Sequence, residues 1–274
     1  MIPFLLSMYV LAYLDRANVG FAQQALHDVV GISDAAFAFG ASIFFVAYVL
    51  LEVPSNLALH KVDARLWMCR IMGPHSLGAS LANRTVLYFG LVFFLIQMGV
   101  SVVVFYLPTF IGKLLGTGPN TLVGLVVAIP WACALVATYA VPKAAGRTGR
   151  LTLFGGASLA VAAFAMFASA GASPVISVVA LCIAVAGLWA VQPIFWTMLT
   201  NCVGGIAAVS GVAMVNTIGN VGNFVSPNIK AWADASFGSN VAGLIVLSVV
   251  VLLAALLFIG ARSTTRSVIP TLLT

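Results

Sequence analysis

Asp15 and Arg16 are adjacent charged residues at the end of an apolar run that begins at Ile2, in the stretch AYLDRANVGFAQ. A charge near the middle of a membrane span costs at least about 2.5–3.5 kcal/mol, so it persists only where it faces protein or water. Neighbours in a helix point about 100° apart, so the two cannot simply pair with each other. With Tyr13 and Asn18 they form a wide polar sector. Three interpretations stay open: a structural ion pair, an arginine that snorkels to the interface, or a cation that receives an anion beside an orienting or titrating carboxylate.

A row of amides lies in another apolar stretch. Asn216, Asn220 and Asn223 are spaced at i, i+4 and i+7, so they share one face of a helix. Gly219 and Gly222 flank the row. Asparagine in lipid-embedded helices serves as interhelical glue, and small residues allow close approach of the backbones. The row is therefore compatible with packing and with the lining of a cavity, and the pattern does not favour one over the other.

Two further apolar stretches carry polar and aromatic residues. One face of stretch 174–201 carries Trp189, Gln192, Trp196 and Thr200, with Pro193 between them. The stretch 84–112 carries Gln97, Ser101 and Tyr106. Aromatic stripes at helical spacing pack more often than they bind, so contact with a ligand is one of two interpretations for these residues.

These residues lie in a chain whose composition suits a bilayer. Of its 274 residues, 62% are hydrophobic and 7% are charged, against about 25% charged residues in a soluble domain. Mean hydropathy is +1.15. Because a span needs roughly 20 mostly apolar residues, the sequence predicts an all-α integral membrane protein with about eight transmembrane helices. The predicted spans are 2–23, 35–59, 84–112, 120–141, 151–170, 174–201, 206–230 and 239–261.

Basic residues are distributed unevenly between the predicted loops. If the helices alternate in direction, nine of the twelve Lys and Arg lie on one side: Lys61, Arg65, Arg70, Arg84, Lys143, Arg147, Arg150, Arg262 and Arg266. The other side has Lys113 and Lys230, accompanied by Asp28, Asp34 and Asp234. The positive-inside rule predicts that both termini and the basic loops are cytoplasmic. The net charge of +6 is explained by membrane orientation and does not predict a nucleic-acid partner.

The sequence carries no pattern of a catalytic or metal site. Cysteines occur without a CxxC pair and without histidines at metal-ligand spacing, at Cys69, Cys133, Cys182 and Cys202. There is no nucleophile–base pair and no phosphate-binding loop, so we expect neither an enzyme nor a bound metal or cofactor. The first apolar run lacks a basic n-region and a cleavage site, which favours a retained helix over a signal peptide.

Several stretches resemble the anion:cation symporter family, a branch of the major facilitator superfamily. IPFLLSMYVLAYLDRANVGFA is similar to that family's first helix, whose recurring core matches Tyr13, Asp15, Arg16, Asn18 and Gly20. FGASIFFVAYVLLEVPSNLALHKVDARLWMCRIM resembles the second helix, and PIFWTMLTNCVGGIAAVSGVAMVNTIGNVGNFVSPNIKAW resembles the tenth and eleventh. The members that look nearest are tartrate, phthalate and hexonate or hexuronate permeases.

The resemblance carries one large departure. Family members have twelve helices in two halves, whereas this chain passes from Met72 through GPHSLGASLANRTVLYFG into what resembles the seventh helix. The resemblance therefore predicts an internally truncated major facilitator fold that lacks helices three to six. Its expected parts are a remnant of the N-terminal half (1–72), a cytoplasmic linker (73–83) and a complete six-helix C-terminal half (84–274). The family's fourth helix supplies an arginine and a carboxylate for anion binding and proton coupling, so Arg16 and Asp15 lack those partners here.

What the resemblance implies is proton-coupled symport of organic anions, such as sugar acids, tartrate or aromatic carboxylates, across the inner membrane. Arg16 would attract the substrate carboxylate, and Asp15 would be the proton-responsive partner. The residues assigned to substrate contact are Arg16, Tyr13, Tyr106, Gln192, Trp196, Asn216 and Asn220. Na⁺ stays open as the coupling ion.

Two alternatives to a carrier stay open. The chain could be a non-transporting membrane remnant, or an assembly partner of a full-length paralogue, in which case the asparagine row is packing. It could also form a channel-like pore, which would conduct without saturation. Self-association of two shortened chains is a further expectation, because eight helices provide less than two complete halves.

Overall fold

The computed structural model describes residues 83–116, 121–171, 173–203, 206–239 and 241–261, together with 31, 33, 35–40, 42, 43 and 46. This part contains six long helices: α1 (Arg84–Leu115), α2 (Thr121–Thr148), α3 (Leu151–Ser169), α4 (Pro174–Cys202), α5 (Ile206–Phe237) and α6 (Ala242–Gly260). The short stretch 35–40, with 42, 43 and 46, is also helical. Tyr13, Asp15 and Arg16 lie outside the described residues.

Local sequence explains where several of these helices begin and end. Asn83 caps α1, because its side-chain Oδ1 accepts a hydrogen bond from the Thr85 backbone N–H at 2.9 Å. Pro174 occupies the start of α4, where its missing N–H has no cost. The helices α2 and α5 are followed by Gly149 and Gly238, whose φ angles of 65° and 61° are unfavourable for residues with a side chain.

The six helices form a bundle in which α1 and α4 each contact four of the others. Successive helices are joined by short connections and run in alternate directions. α1 packs against α5, α4 lies between α2 and α3, and α6 contacts α1, α3 and α5. Within the most apolar part of α1, 72% of the residues are buried, against 22% for α2. α1 is therefore the most buried of the five candidate spans, and it contacts α2, α4, α5 and α6.

The outer surface of the bundle is apolar. Leu125, Leu135 and Val136 on α2 and Val175 on α4 have 67–76% of their surface exposed. Contiguous exposed apolar surface of this kind suits contact with lipid chains and would promote aggregation in water. Five of the described helices, all except α5, are long and apolar enough to cross a membrane. The chain is an all-α, multi-pass membrane protein.

Four predicted spans agree with described helices to within about three residues at each end, the usual uncertainty of helix boundaries. These are 84–112, 151–170, 174–201 and 239–261. Residues 35–40 of the second predicted span are helical, and the first predicted span lies outside the described residues. Length and hydropathy were sufficient for these elements because each is bounded by turn-forming residues.

Two predicted boundaries are wrong. The predicted loop 142–150 is mostly helix, since α2 continues through Pro142 to Thr148. The alanines and basic residues after that proline are good helix formers, and they extend the helix beyond its apolar part. The span predicted to end at residue 230 continues to Phe237. α5 also falls outside the group of helices apolar enough to span, which agrees with its row of amides.

Candidate functional site

A pair of glutamines joins α1 and α4 inside the bundle. The Gln192 Nε2 atom donates a hydrogen bond to Gln97 Oε1 at 3.2 Å, and both side chains are half-buried. An amide has two donor hydrogens and an oxygen that accepts twice, so this bond uses only part of the capacity of each side chain. The pair is therefore able to hold the two helices together and also to bind hydroxyl or carbonyl groups.

Aromatic rings lie beside the glutamine pair. Trp196 meets Phe93 edge-on, with ring centroids 4.8 Å apart, and Phe93 also stacks on Phe195 at 4.8 Å. Phe93 precedes Gln97 by one helical turn, so Gln192 and Trp196 of α4 contact the same stretch of α1. Phe93 and Phe195 are 2% and 0% exposed, so the more accessible side chains of this cluster are Trp196 and the two half-buried glutamines.

Helix α5 contacts this stretch of α1 from another side. A Cβ atom on Gly219 would lie 2.3 Å from Phe93 Cδ1 and 3.2 Å from Gln97 Cγ, so only glycine allows the observed packing. Gly219 lies next to the asparagine row. The structure thus brings Gln192 and Trp196 of α4 and Gly219 of α5 against the same two residues of α1.

The three asparagines of the row on α5 differ in how deeply they are buried. Asn220 and Asn223 are 7% and 5% exposed, and Asn223 Nδ2 donates to Asn220 Oδ1 at 3.2 Å. Asn216, one turn earlier, is half-buried. The bond between the two buried amides supports a packing role for that end of the row. Asn216 is the member whose side chain is more accessible.

Small residues form a close seam between α1 and α5. Ser226 Oγ donates to the Met98 carbonyl at 2.6 Å, and Ser101 Oγ donates to the Asn223 carbonyl at 3.2 Å. These bonds between side chain and backbone are a recurrent means of helix association in membranes. Sequence analysis did not single out Ser226, because a lone serine in an apolar helix gives no indication of the neighbour that it bonds.

Tyr106 belongs to a second cluster. It follows Gln97 by nine residues, which places it about 13 Å further along α1. Its ring meets Phe37 edge-on, with centroids 6.2 Å apart, and Lys230 Nζ lies 4.3 Å from the ring centre. Tyr106 is therefore not grouped with Gln192 and Trp196, although sequence analysis assigned all three to substrate contact.

Lys230 and Asp234, which were expected to lie at or beyond the end of a span, form an ion pair. Both are within α5, with Lys230 Nζ 2.6 Å from Asp234 Oδ2 and side chains that are 16% and 17% exposed. Their i, i+4 spacing was the signal that could have identified the pair. An i, i+4 pair of opposite charges adds a small stabilisation to this part of α5.

No protein-family model matches the chain, and no solved structure matches it. An inner membrane transport protein of Escherichia coli strain K12, RhmT, is 27% identical over 400 residues, which cover 96% of this chain and 93% of that protein. A candidate tartrate transporter of Agrobacterium vitis is 25% identical over 409 residues, with 97% and 91% coverage. A quinolone resistance transporter of Acinetobacter baumannii is 24% identical over 402 residues, with 94% and 92% coverage.

The curated homologues of this chain are major facilitator transporters. They are named as transporters and not as enzymes, which supports membrane transport at the level of the family. The alignments of this chain with RhmT and with the tartrate transporter extend over 400 and 409 residues, whereas the chain has 274 residues. The relatives therefore have residues at many aligned positions where this chain has none. The names of these relatives agree on transport and differ in the molecule that they mention.

The glutamine pair gives a first testable expectation. Replacing Gln97 or Gln192 by leucine removes one partner of an inter-helix hydrogen bond, and replacing both removes the bond and the unpaired amide together. In a double-mutant cycle of thermal unfolding in detergent, we expect a coupling free energy of about 0.6 kcal/mol, the average for such bonds in membrane proteins. Gln97→Leu combined with Thr148→Val, at the distant end of α2, should be additive. Additivity of the two glutamine variants would contradict the observed bond.

Proposed function

We propose that this protein is a secondary active transporter that takes up organic anions, such as sugar acids, tartrate or aromatic carboxylates, across the inner membrane. A proton is the proposed coupling ion, with Na⁺ as the alternative. The relatives that cover nearly the whole chain carry this proposal, since one is named for tartrate and another as an inner membrane transport protein. The Asp15–Arg16 pair supports the choice of an anion, because an intramembrane arginine needs a negative partner.

In the proposed site, one group of residues binds the carboxylate of the substrate and a second group contacts the rest of the molecule. Arg16 and Tyr13 bind the carboxylate, and Asp15 gains a proton as the anion binds. Gln192, Trp196 and Asn216 contact the hydroxyl groups or ring, and Asn220 supports Asn216 from the buried part of the row. Support for the second group comes from the contacts that Gln192 and Trp196 share with one stretch of α1.

The proposed organisation of the chain follows from its resemblance to the anion:cation symporter family. Residues 84–274 form the C-terminal six-helix half, to which all six helices of the described part belong. Residues 1–72 are the remnant of the N-terminal half, and residues 73–83 form the cytoplasmic linker. Both termini are cytoplasmic in this proposal, because Arg84, Lys143 and Arg147 lie at the bundle end where α1 begins and α2 ends.

Uptake by cells that express the chain tests the proposal. We expect saturable, acid-stimulated uptake of at least one labelled anion in a panel of sugar acids, tartrate and aromatic carboxylates. The matching amides and esters, which have the same skeleton without the charge, should not compete. Uptake that is unaffected by external pH and competed equally by uncharged analogues would contradict an anion carrier coupled to protons.

A second candidate function is assembly with a longer carrier. It is favoured by the length of the alignments, which exceeds that of the chain. A protein without the residues that its relatives have at those positions has less chain from which to form a complete carrier. Affinity purification from the native membrane distinguishes the two. Recovery of a full-length relative in fixed ratio, together with absence of uptake by the chain alone, would favour the assembly partner.

A further inference from the structure

One exposed stripe runs along α2, the least buried of the five candidate spans. Its residues are three or four positions apart, so they share one face of the helix, and all of them are exposed. The stripe, here called the α2 stripe, consists of Ile129, Ala132, Val136, Tyr139, Lys143 and Arg147. Toward the end of α2 it therefore changes from apolar side chains to an aromatic ring and then to two cations.

Tyr139 and Lys143 connect the apolar and basic parts of the α2 stripe. Lys143 Nζ donates a hydrogen bond to the Tyr139 hydroxyl oxygen at 3.1 Å and lies 5.0 Å from the centre of the same ring. Tyrosine is enriched at the level of lipid headgroups, because its ring is apolar and its hydroxyl group is polar. An ammonium group has three donor hydrogens, so the bond to Tyr139 leaves donors for another acceptor. This part of α2 therefore suits the boundary between lipid chains and water.

The length of the α2 stripe matches one leaflet of a bilayer. Ala132 precedes Lys143 by eleven residues, which corresponds to about 16 Å along a helix. The hydrocarbon core is about 30 Å thick, so one leaflet contributes about 15 Å. A lipid headgroup at Lys143 would therefore place its acyl chains along Val136, Ala132 and Ile129.

The described part of the chain does not supply a counter-ion for the basic end of the α2 stripe. Of the acidic residues, that part contains Asp234, which pairs with Lys230 at 2.6 Å. Asp234 lies near the end of α5, at the opposite end of the bundle from the end of α2. The next helix, α3, has no acidic residue in its first turn, and Arg150 before it is a further cation. Among the described residues, the basic end of α2 thus carries unbalanced positive charge directly beside an exposed apolar surface.

We propose that the α2 stripe is a docking site for one anionic phospholipid of the adjacent leaflet. The phosphodiester accepts hydrogen bonds from Lys143 Nζ and from the Arg147 guanidinium, whose planar fork suits a phosphate group. The acyl chains lie on Val136, Ala132 and Ile129. A phospholipid with a choline headgroup offers the same phosphate beside a cation of its own, and therefore binds more weakly. The lipid is bound whether or not the chain transports an anion.

A docking site differs from a generally positive surface in its dependence on particular residues. Attraction of anionic lipid to the whole basic end of the bundle would depend equally on each exposed cation, including Arg84 at the start of α1 and Arg150. The α2 stripe depends on Lys143 and Arg147, because Gly149, with a φ of 65°, turns the chain away from α2 before Arg150. The two cases therefore predict different results for pairs of charge-removing substitutions.

Photolabelling of the full chain in mild detergent tests the site. A phosphatidylglycerol with a diazirine in one acyl chain is the probe, and unlabelled phosphatidylglycerol and phosphatidylcholine are the competitors. We expect phosphatidylglycerol to compete more strongly, and mass spectrometry to find the label at Val136, Ala132 or Ile129. Lys143→Gln combined with Arg147→Gln should lower the advantage of phosphatidylglycerol roughly 25-fold, since each basic residue near a membrane surface contributes about fivefold.

The matched control is Arg84→Gln combined with Arg150→Gln, which removes the same charge from the same end of the bundle. It should lower the advantage of phosphatidylglycerol by less than about fivefold and leave the label on α2. Because all four side chains are exposed, both double variants should melt at the temperature of the unaltered protein.

Three results would overturn the docking site. Equal losses in the two double variants would show general attraction of anionic lipid to the basic end. A label spread evenly over exposed residues of other helices, such as Phe164 on α3 and Leu256 on α6, would show unselective contact with lipid. Equal competition by phosphatidylcholine would show that the headgroup charge does not matter.

Discussion

Replacement of Arg16 by alanine should abolish saturable uptake of organic anions while the amount of protein in the membrane stays the same. An arginine that receives a carboxylate contributes a charged hydrogen bond, which is about twice as strong as a neutral one. Removal of one partner from such a buried charge pair costs about 2–5 kcal/mol, which corresponds to about 30-fold to several thousand-fold in kcat/KM. Uptake of labelled tartrate or a sugar acid, normalised to a quantitative blot of the membrane fraction, measures this effect.

Two further variants make the Arg16 experiment specific. Arg16→Lys keeps the charge but loses the planar fork that binds a carboxylate with two hydrogen bonds, so we expect a smaller loss than with alanine. Arg150→Ala removes an exposed arginine between α2 and α3 and should not affect the KM. If Arg16→Ala transports as well as the unaltered protein, the assignment of Arg16 to the substrate is wrong.

Replacement of Gly222 by valine should prevent the correct packing of α1 and α5. A Cβ at this position would lie 2.4 Å from the Phe94 carbonyl oxygen, a backbone atom that moves only if the whole helix moves. Excess volume in a tightly packed interface costs about 1–3 kcal/mol or more. The same displacement would weaken the bonds of Ser101 and Ser226 across the seam. We expect a broad or aggregated profile in size-exclusion chromatography and a lower melting temperature in detergent.

The matched control for Gly222 is Gly124→Val. Gly124 lies within α2 and a Cβ there would meet no atom within 4 Å, so the same substitution should be tolerated. Gly219→Val gives an intermediate case, because the atoms that it would meet belong to the side chains of Phe93 and Gln97. Equal melting temperatures for the Gly222 and Gly124 variants would show that the seam does not depend on a glycine.

Hydropathy and spacing were sufficient for most of the described fold. The span 84–112 was predictable because its apolar run is uninterrupted and Asn83 caps the helix that contains it. The end of α2 was not, because Pro142 and the basic residues after it have the composition of a loop. The end of α5 was missed because hydropathy marks where an apolar run ends, whereas the helix continues beyond that point to Phe237.

The candidate site was predictable only within single helices. The common face of Asn216, Asn220 and Asn223 follows from helical periodicity, but the bond between two of them and their burial do not. Periodicity also cannot indicate how neighbouring helices are rotated. For this reason Gln97 could not be identified as the partner of Gln192, nor could Tyr106 be separated from that pair and placed beneath Lys230.

Uptake by the purified chain alone, reconstituted in liposomes with an acidic exterior, tests the central claim most directly. The anion carrier proposed here should accumulate the labelled anion with saturation, lose accumulation when a protonophore removes the pH gradient, and need no second protein. A chain that is fully incorporated but shows no uptake, or a flux that increases with anion concentration without saturation, would contradict that claim. The first of these results would favour a remnant or assembly partner, and the second would favour a pore.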